Sequence, residues 1–313
     1  MSQNRPEEGA PRNRRTLSRH SRAARGLPEV RGDWQPSERE LKRRQYRQGA
    51  ARRYGLIAAA SSILVLGTLA VILVSSPGFK TLSDTFFNWA YGAEVLPKVL
   101  LGFMTNVMLT IIAGTCVAIL GLAIALLRTS RSPALTPFRF LATIYVDLFR
   151  GIPMILVILL VGFGIPALRI PGLTNSVLIL GTTAVIITYT AYVAEVLRSG
   201  ILTVHPSQRA GARSLGLSHF QSLRHVVLPQ ALKRVTPPLL NDLIALIKDT
   251  GLVSILGVTD AVRAAQIASS RSFNYTPYVI AAVVFLLVTI PLTRFTDRAM
   301  RRSIERQNAQ GLA

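Results

Sequence analysis

Charged side chains stand inside otherwise apolar stretches of this 313-residue chain, and a buried charge must face protein or a water-filled cavity. Glu195 and Arg198 are close to one helical turn apart, so the sequence favours a pair on one helix surface, with contact to a substrate as the alternative. Lys248 and Asp249 are adjacent and therefore point in different directions. They either pair with other helices or form part of a gate.

Four further polar residues carry the same ambiguity between a solute pathway and a structural role. Each could line a pathway, or could make a buried hydrogen bond or ion pair between helices. The four residues are Asn106, Arg150, Tyr189 and Asn241. No catalytic constellation is evident. A Gly-rich phosphate loop with Lys-Ser/Thr is missing, and the four His residues are dispersed without metal-ligand companions, so we predict no catalytic and no metal site.

The composition indicates a protein that is solvated by lipid. Half of the residues are hydrophobic, the mean hydropathy is +0.39, and the apolar residues are gathered into long runs. The net charge of +21 comes from Arg in the first fifty-odd residues, between the apolar runs and at the C-terminus. That distribution is typical of cytoplasmic loops and disfavours nucleic-acid binding. The single cysteine, Cys116, lies within an apolar run and excludes an internal disulfide.

We therefore predict an all-α integral membrane protein with about six transmembrane helices, a five-span core plus one N-terminal span, and both termini cytoplasmic. The third apolar run is interrupted at Gly151 and Pro153, so one helix can end there and another begin. The predicted spans cover residues 55–74, 99–127, 140–161, 176–197, 237–258 and 278–292.

The longest internal polar segment, residues 199–235, contains a small-residue motif at its centre. Gln208 to Leu215 favour a helix, Gly216 can adopt the left-handed conformation that stops it, and Ser218 is a good N-cap for a second helix. We expect that second helix to run to Leu228, where Pro229 ends or redirects it. The result is a compact knob that another protein can approach closely.

This segment resembles the coupling loop of binding-protein-dependent ABC importer permeases, whose signature is Glu-Ala-Ala, three residues, Gly, nine residues, Ile, one residue, Leu-Pro. Every spacing matches. The matching residues, with their basic and polar neighbours, are Gln208, Arg209, Ala210, Gly211, Ala212, Arg213, Gly216, Val226, Leu228 and Pro229. Three positions depart from the pattern: Ala210 replaces the Glu, Gly211 replaces the following Ala, and Ser207 replaces a usual Gly. We call residues 199–235 the coupling loop.

Other motifs resemble the polar amino acid branch of that family. Residues 149–153 are FRGIP, against the family's Phe-Arg-Gly-Thr-Pro. Residues 191–200 are AYVAEVLRSG, against Ala-Tyr-x-Ala-Glu-x-x-Arg-Gly-Gly, and residues 246–252 are LIKDTGL, against Leu-x-Lys-Asp-Thr-Ser-Leu. The resemblance covers about residues 102–297.

The resemblance implies a permease subunit of an ATP-driven importer, which forms the pathway for a polar amino acid such as glutamate or glutamine. It implies an ABC ATPase subunit, an extracytoplasmic solute-binding protein and a second permease copy or homologue as partners, with ATP and Mg²⁺ on the ATPase and no cofactor in this chain. An intramembrane enzyme, a channel or a permease for another small polar solute are the alternatives.

The expected organisation has four parts. Residues 1–54 form a disordered basic cytoplasmic tail, and residues 55–76 an additional span. The permease transmembrane domain covers residues 98–298, and residues 299–313 form a cytoplasmic C-terminal tail.

Overall fold

The computed structural model describes residues 37–130 and 132–310, in two compact units that meet between Ser76 and Pro77. In the first unit, helix α1 spans Glu38–Ser75 and includes the predicted N-terminal span. The tail predicted for residues 1–54 lies outside the described residues up to residue 36, and from Glu38 onward the chain is helical. Residues 38–54 are rich in Arg, Gln, Glu and Ala, which favour helix, and extending an existing helix costs little.

The second unit is nearly all helical, as predicted. Its helices are α2 (Gly78–Phe86), α3 (Trp89–Thr129), α4 (Thr136–Gly151), α5 (Met154–Leu159), α6 (Val177–Leu202), α7 (Pro206–Ser214), α8 (His219–Ser222), α9 (Leu228–Asp249), α10 (Ala261–Ser272) and α11 (Thr276–Gln310). Short 3₁₀ segments precede α4 and follow α9, and π-helical turns follow α5 and α8.

Helix α3 organises the core because its two halves pack against different helices. The half that contains Phe103 packs with α10 and α11 in one buried apolar cluster. The half that contains Val117 packs with α6 and α9 in a second cluster. Helix α6 buries small residues such as Ala184, Ala191 and Ala194 completely, and small side chains allow helices in a membrane to approach closely.

Among the described residues, four helical stretches are long and apolar enough to cross a membrane: Arg53–Ser75, Gly78–Thr129, Val177–Leu202 and Thr276–Arg298. A fifth is reached if the bent pair Pro133–Gly151 and Met154–Ala167 is counted as one span. The predicted span 237–258 is not in this set, since α9 and its 3₁₀ extension carry several polar and charged residues. The count of about six and the cytoplasmic termini therefore stay predictions.

The break in the third apolar run is confirmed. Helix α4 ends at Gly151, Ile152 is extended, and the two halves meet at 108°. The cause is local: Pro153 has no N–H to donate, and its ring disfavours helical geometry at the residue before it.

Candidate functional site

The first coupling helix, α7, ends as the sequence predicted. Gly216 adopts φ +79°, in the left-handed region. Its N–H donates to the Arg213 carbonyl at 3.0 Å, and the Leu217 N–H donates to the Ala212 carbonyl at 3.2 Å. This pair of bonds is a Schellman motif, which satisfies the carbonyls that a helix end leaves open. The turn therefore has a backbone geometry that favours glycine.

The second coupling helix begins at a capping box, which confirms Ser218 as its N-cap. The Gln221 N–H donates to Ser218 Oγ at 3.2 Å, and the Ser218 N–H donates to Gln221 Oε1 at 2.8 Å. Two helix-start donors are satisfied reciprocally, which fixes the direction in which α8 leaves the turn.

The expectation that Pro229 ends or redirects the second helix is wrong. Helix α8 continues through a π-helical turn, Leu223–Val227, directly into α9, and Pro229 lies in the first turn of α9. In a regular α-helix a proline loses one hydrogen bond and its ring meets the carbonyl four residues earlier. A π turn changes the carbonyl spacing at that point, so the chain passes the proline without a break.

The coupling loop presents an apolar surface with a basic surround. Leu215 and Phe220 are 82% and 65% exposed, although neither belongs to a candidate span. Arg213 and Arg224 are exposed near them, and the sequence has no acidic residue between Glu195 and Asp242. An exposed apolar patch of this kind is typical of a protein contact.

The predicted docking residues differ in burial. Gln208, Ala210, Gly211, Arg213, Gly216 and Pro229 are exposed, Leu228 and Arg209 are half-buried, and Ala212 is buried. Arg209 points back towards the spans: its Nη2 donates to the Ile201 carbonyl, near the end of α6, at 2.7 Å. Arg234 of α9 likewise donates to the Thr203 carbonyl. The sequence carried no signal for either contact, because each acceptor is a backbone atom.

The predicted pair of Glu195 and Arg198 is confirmed, with Arg198 Nη2 2.6 Å from Glu195 Oε1. A second cation completes the site: Arg128 Nη1 is 2.6 Å from Glu195 Oε2, and Arg128 Nε donates to Thr143 at 3.3 Å. Arg128 of α3 thus contacts α6 through the Glu195 carboxylate and α4 through the Thr143 hydroxyl. Sequence reasoning missed Arg128 because 67 residues separate it from Glu195.

Two of the predicted pathway residues meet. Tyr189 of α6 donates its hydroxyl to Asp249 Oδ2, at the end of α9, at 2.7 Å. Tyr189 and Asp242 line a cavity of about 510 Å³ whose other walls are mostly aliphatic. Asp242 Oδ2 is buried and makes no hydrogen bond within the described part of the chain. A buried carboxylate oxygen without a partner is costly, which sets Asp242 apart from the mostly aliphatic residues that line this cavity.

The remaining pathway candidates are elsewhere. Arg150, Asn241 and Lys248 are exposed and do not line this cavity. Asn106 is fully buried, and its amide Nδ2 donates to Asp260 Oδ2 at 3.0 Å and to Thr250 Oγ1 at 3.2 Å. These contacts favour the structural interpretation of Asn106, as a hydrogen bond between helices.

Known proteins with similar sequences are transport permeases and not enzymes. The arginine transport system permease protein ArtQ of Bacillus subtilis is 29% identical over 211 residues, which cover 67% of this chain and 94% of that protein. The probable glutamine ABC transporter permease protein GlnM of the same organism is 33% identical over 195 residues, 61% of this chain and 87% of GlnM.

The fold agrees with the sequence matches. A chain from the crystal structure of an amino acid ABC transporter with histidines superposes with a TM-score of 0.61 at 33% identity, over 67% of this chain and 96% of that one. The family model for the binding-protein-dependent transport system inner membrane component matches residues 119–304, more than half of the chain. The resemblance found in the motifs is confirmed: the chain belongs to this family of binding-protein-dependent transport system inner membrane components and is a multi-pass helical membrane protein.

Proposed function

We propose that this chain is the permease subunit of an ATP-driven importer for a polar amino acid. It forms the translocation pathway and passes the motion of a separate ATPase, which binds ATP and Mg²⁺, to its own spans. An extracytoplasmic solute-binding protein delivers the solute, and a second permease copy or a homologue forms the other half of the pathway. The chain itself needs no cofactor.

The observation that carries this proposal is the geometry of the coupling loop. A glycine turn and a capping box position two helices, and in that arrangement Leu215 and Phe220 are exposed although neither belongs to a candidate span. An ATPase groove that accepts this surface should be apolar at its centre and acidic at its rim, because Arg213 and Arg224 have no acidic neighbours in the loop.

The substrate class is supported by the relatives and by the cavity at Tyr189. The relatives named above are assigned to arginine and glutamine. The cavity is lined by Asp242 and by Tyr189, whose hydroxyl donates to Asp249. Its lining residues include no Lys, Arg or His. Carboxylates favour the ammonium group of an amino acid and repel a second negative charge. We therefore favour glutamine or a cationic amino acid over glutamate.

The test is co-purification of the permease with an ABC ATPase of the same organism, followed by ATP-dependent uptake into proteoliposomes that contain both proteins and a solute-binding protein. Labelled arginine, glutamine and glutamate are compared, with ATP replaced by a non-hydrolysable analogue as the control. We expect uptake of one of the first two. Failure of the permease to co-purify with any ATPase would refute the proposed function, and preferred uptake of glutamate would refute the substrate assignment alone.

A further inference from the structure

At the end of α6 nearest the coupling loop, the carbonyls of Ser199, Gly200, Ile201 and Thr203 accept hydrogen bonds from three different kinds of donor. The last carbonyls of an α-helix have no partner within the helix. Here the Ser199 carbonyl accepts the Thr203 N–H at 3.0 Å and the Gly200 carbonyl accepts the Thr203 hydroxyl at 2.8 Å. The Ile201 carbonyl and the Thr203 carbonyl each accept a guanidinium group from another helix.

Arg209 supplies the first of these guanidinium groups, from the coupling helix α7. Its Nη2 lies 2.7 Å from the Ile201 oxygen, and its Nε is buried, with no partner among the described residues. The side chain is therefore turned inward and is poorly placed to meet an ATPase. Within residues 37–130 and 132–310, no other side chain of α7 hydrogen-bonds to a candidate span.

Arg234 supplies the second group, from α9, on the other side of the coupling loop. The two cations sit where the partial negative charge of the helix end concentrates, so the electrostatic term adds to each hydrogen bond. Apolar contacts join the same helices: Ile201 and Val204 pack with Val227 and Ala231 in one buried cluster.

The contact between α6 and α9 is also close at the backbone. A Cβ added at Gly200 would overlap Val235 of α9, so the two helices touch where the glycine leaves space. The end of α6 and the start of α9 thus pack closely at this point, and Arg209 joins the coupling helix α7 to them. We call this set of contacts the joint.

Glu195 connects helix α6, and with it the joint, to the span that contains α3. That carboxylate lies less than two turns before the capped end, and it binds Arg128 of α3 at 2.6 Å. The contacts run without a gap from α7 through Arg209 to α6, and from α6 through Glu195 to α3.

We infer that Arg209 is a positioning residue that ties the coupling loop to α6 and transmits its movement, and that it is not part of the surface that binds the ATPase. This inference rests on the proposed function. It assigns separate tasks to two arginines of one short helix: the exposed Arg213 belongs to the docking surface, and the inward Arg209 belongs to the joint. A contiguous path of packed helices and charge-assisted bonds is one physical route by which such movement is transmitted.

The experiment compares Arg209→Met, which keeps the reach of the side chain but removes its donors, with Arg209→Lys, which keeps one donor and the charge. Arg213→Met is the neighbouring variant on the docking surface, and Arg301→Met, at an exposed site on α11, is the matched control. All are reconstituted in proteoliposomes with the ATPase and the binding protein. ATPase affinity, ATP hydrolysis and amino acid uptake are measured on each preparation, normalised to inserted permease.

We expect Arg209→Met to bind the ATPase as the parent chain does and to hydrolyse ATP, while the amino acid taken up per ATP falls roughly tenfold, the scale of one lost charge-assisted hydrogen bond. Arg209→Lys should restore most of the ratio. Arg213→Met should instead weaken ATPase binding and leave the ratio unchanged.

An unchanged uptake ratio in Arg209→Met overturns the inference, and so does a loss of ATPase binding as large as that of Arg213→Met. If Arg209→Met does not insert, Arg209→Gln takes its place, since its shorter amide cannot span the distance to Ile201. Failure of the parent chain itself to couple ATP hydrolysis to uptake would count against the proposed function instead.

Discussion

Replacing Gly216 with valine tests the geometry of the coupling loop most directly. Gly216 adopts φ +79°, and a Cβ added there would meet open space. The cost of the substitution is therefore conformational and not steric. A left-handed conformation costs an L-residue about 1–2 kcal/mol, and a β-branched residue is a clear outlier there.

That cost sets the size of the expected effect. About 1–2 kcal/mol lowers the population of the Schellman turn by a factor of about 5–30. Because the turn positions both coupling helices, we expect the affinity of the ATPase to fall by a similar factor while insertion of the permease is unchanged. The assay is equilibrium binding of purified ATPase to permease in nanodiscs, with ATP hydrolysis stimulated by loaded binding protein as the second readout.

The control is Gly216→Asn, because asparagine enters the left-handed region more readily than other non-glycine residues. We expect Gly216→Asn to lower ATPase affinity and stimulated ATP hydrolysis less than Gly216→Val does. Binding of the valine variant at the parent affinity would refute the reasoning, either because the turn does not need glycine or because this loop does not contact the ATPase.

Three further predictions concern other parts of the chain. Deleting residues 1–36 should leave uptake in proteoliposomes intact, because this segment has too few apolar residues to form a core, and lost coupling would reveal a docking role. Glu195→Gln should lower the free energy of unfolding by up to about 3 kcal/mol, measured by thermal unfolding in detergent, because the Arg128 side chain, only 8% exposed, is left without its carboxylate; an unchanged melting temperature would contradict this. Asn106→Leu should destabilise the protein by about 1–3 kcal/mol for each partner left unsatisfied, Asp260 included, and should lower stability without changing the uptake per ATP of the folded fraction.

Local features of the coupling loop were predictable from sequence because they depend on residues near one another in the chain. Gly216 and Ser218 determine a helix stop and a helix start within three residues, and the structure contains both. The break before Pro153 is local in the same sense. Each of these features follows from the conformational preference of a single residue type, which tertiary packing did not override.

Contacts between distant segments were not predictable in this way. Arg128 meets Glu195 across 67 residues, and the backbone acceptors of Arg209 and Arg234 leave no trace in the sequence. The error at Pro229 has a related cause, since the π turn that accommodates the proline depends on how the second coupling helix continues into α9. In each case the position of another helix determines the contact or the backbone conformation, and the propensity of the residue itself does not.

The departures of this coupling loop from the family pattern lie on one side of α7. Ser207, Ala210 and Gly211 are exposed, whereas Ala212 is buried and Gly216 holds the turn, and these two keep the pattern. Substitutions at exposed positions change the free energy of folding little, so these three departures are compatible with the same loop structure. A buried alanine and a left-handed glycine have no such freedom. The substitutions therefore alter the exposed surface of α7 and leave its scaffold unchanged. Under the proposed function, and with no acidic residue on α7, we expect the ATPase to bind through close approach of the backbone at Gly211, apolar contact at Leu215 and a complementary charge in the partner.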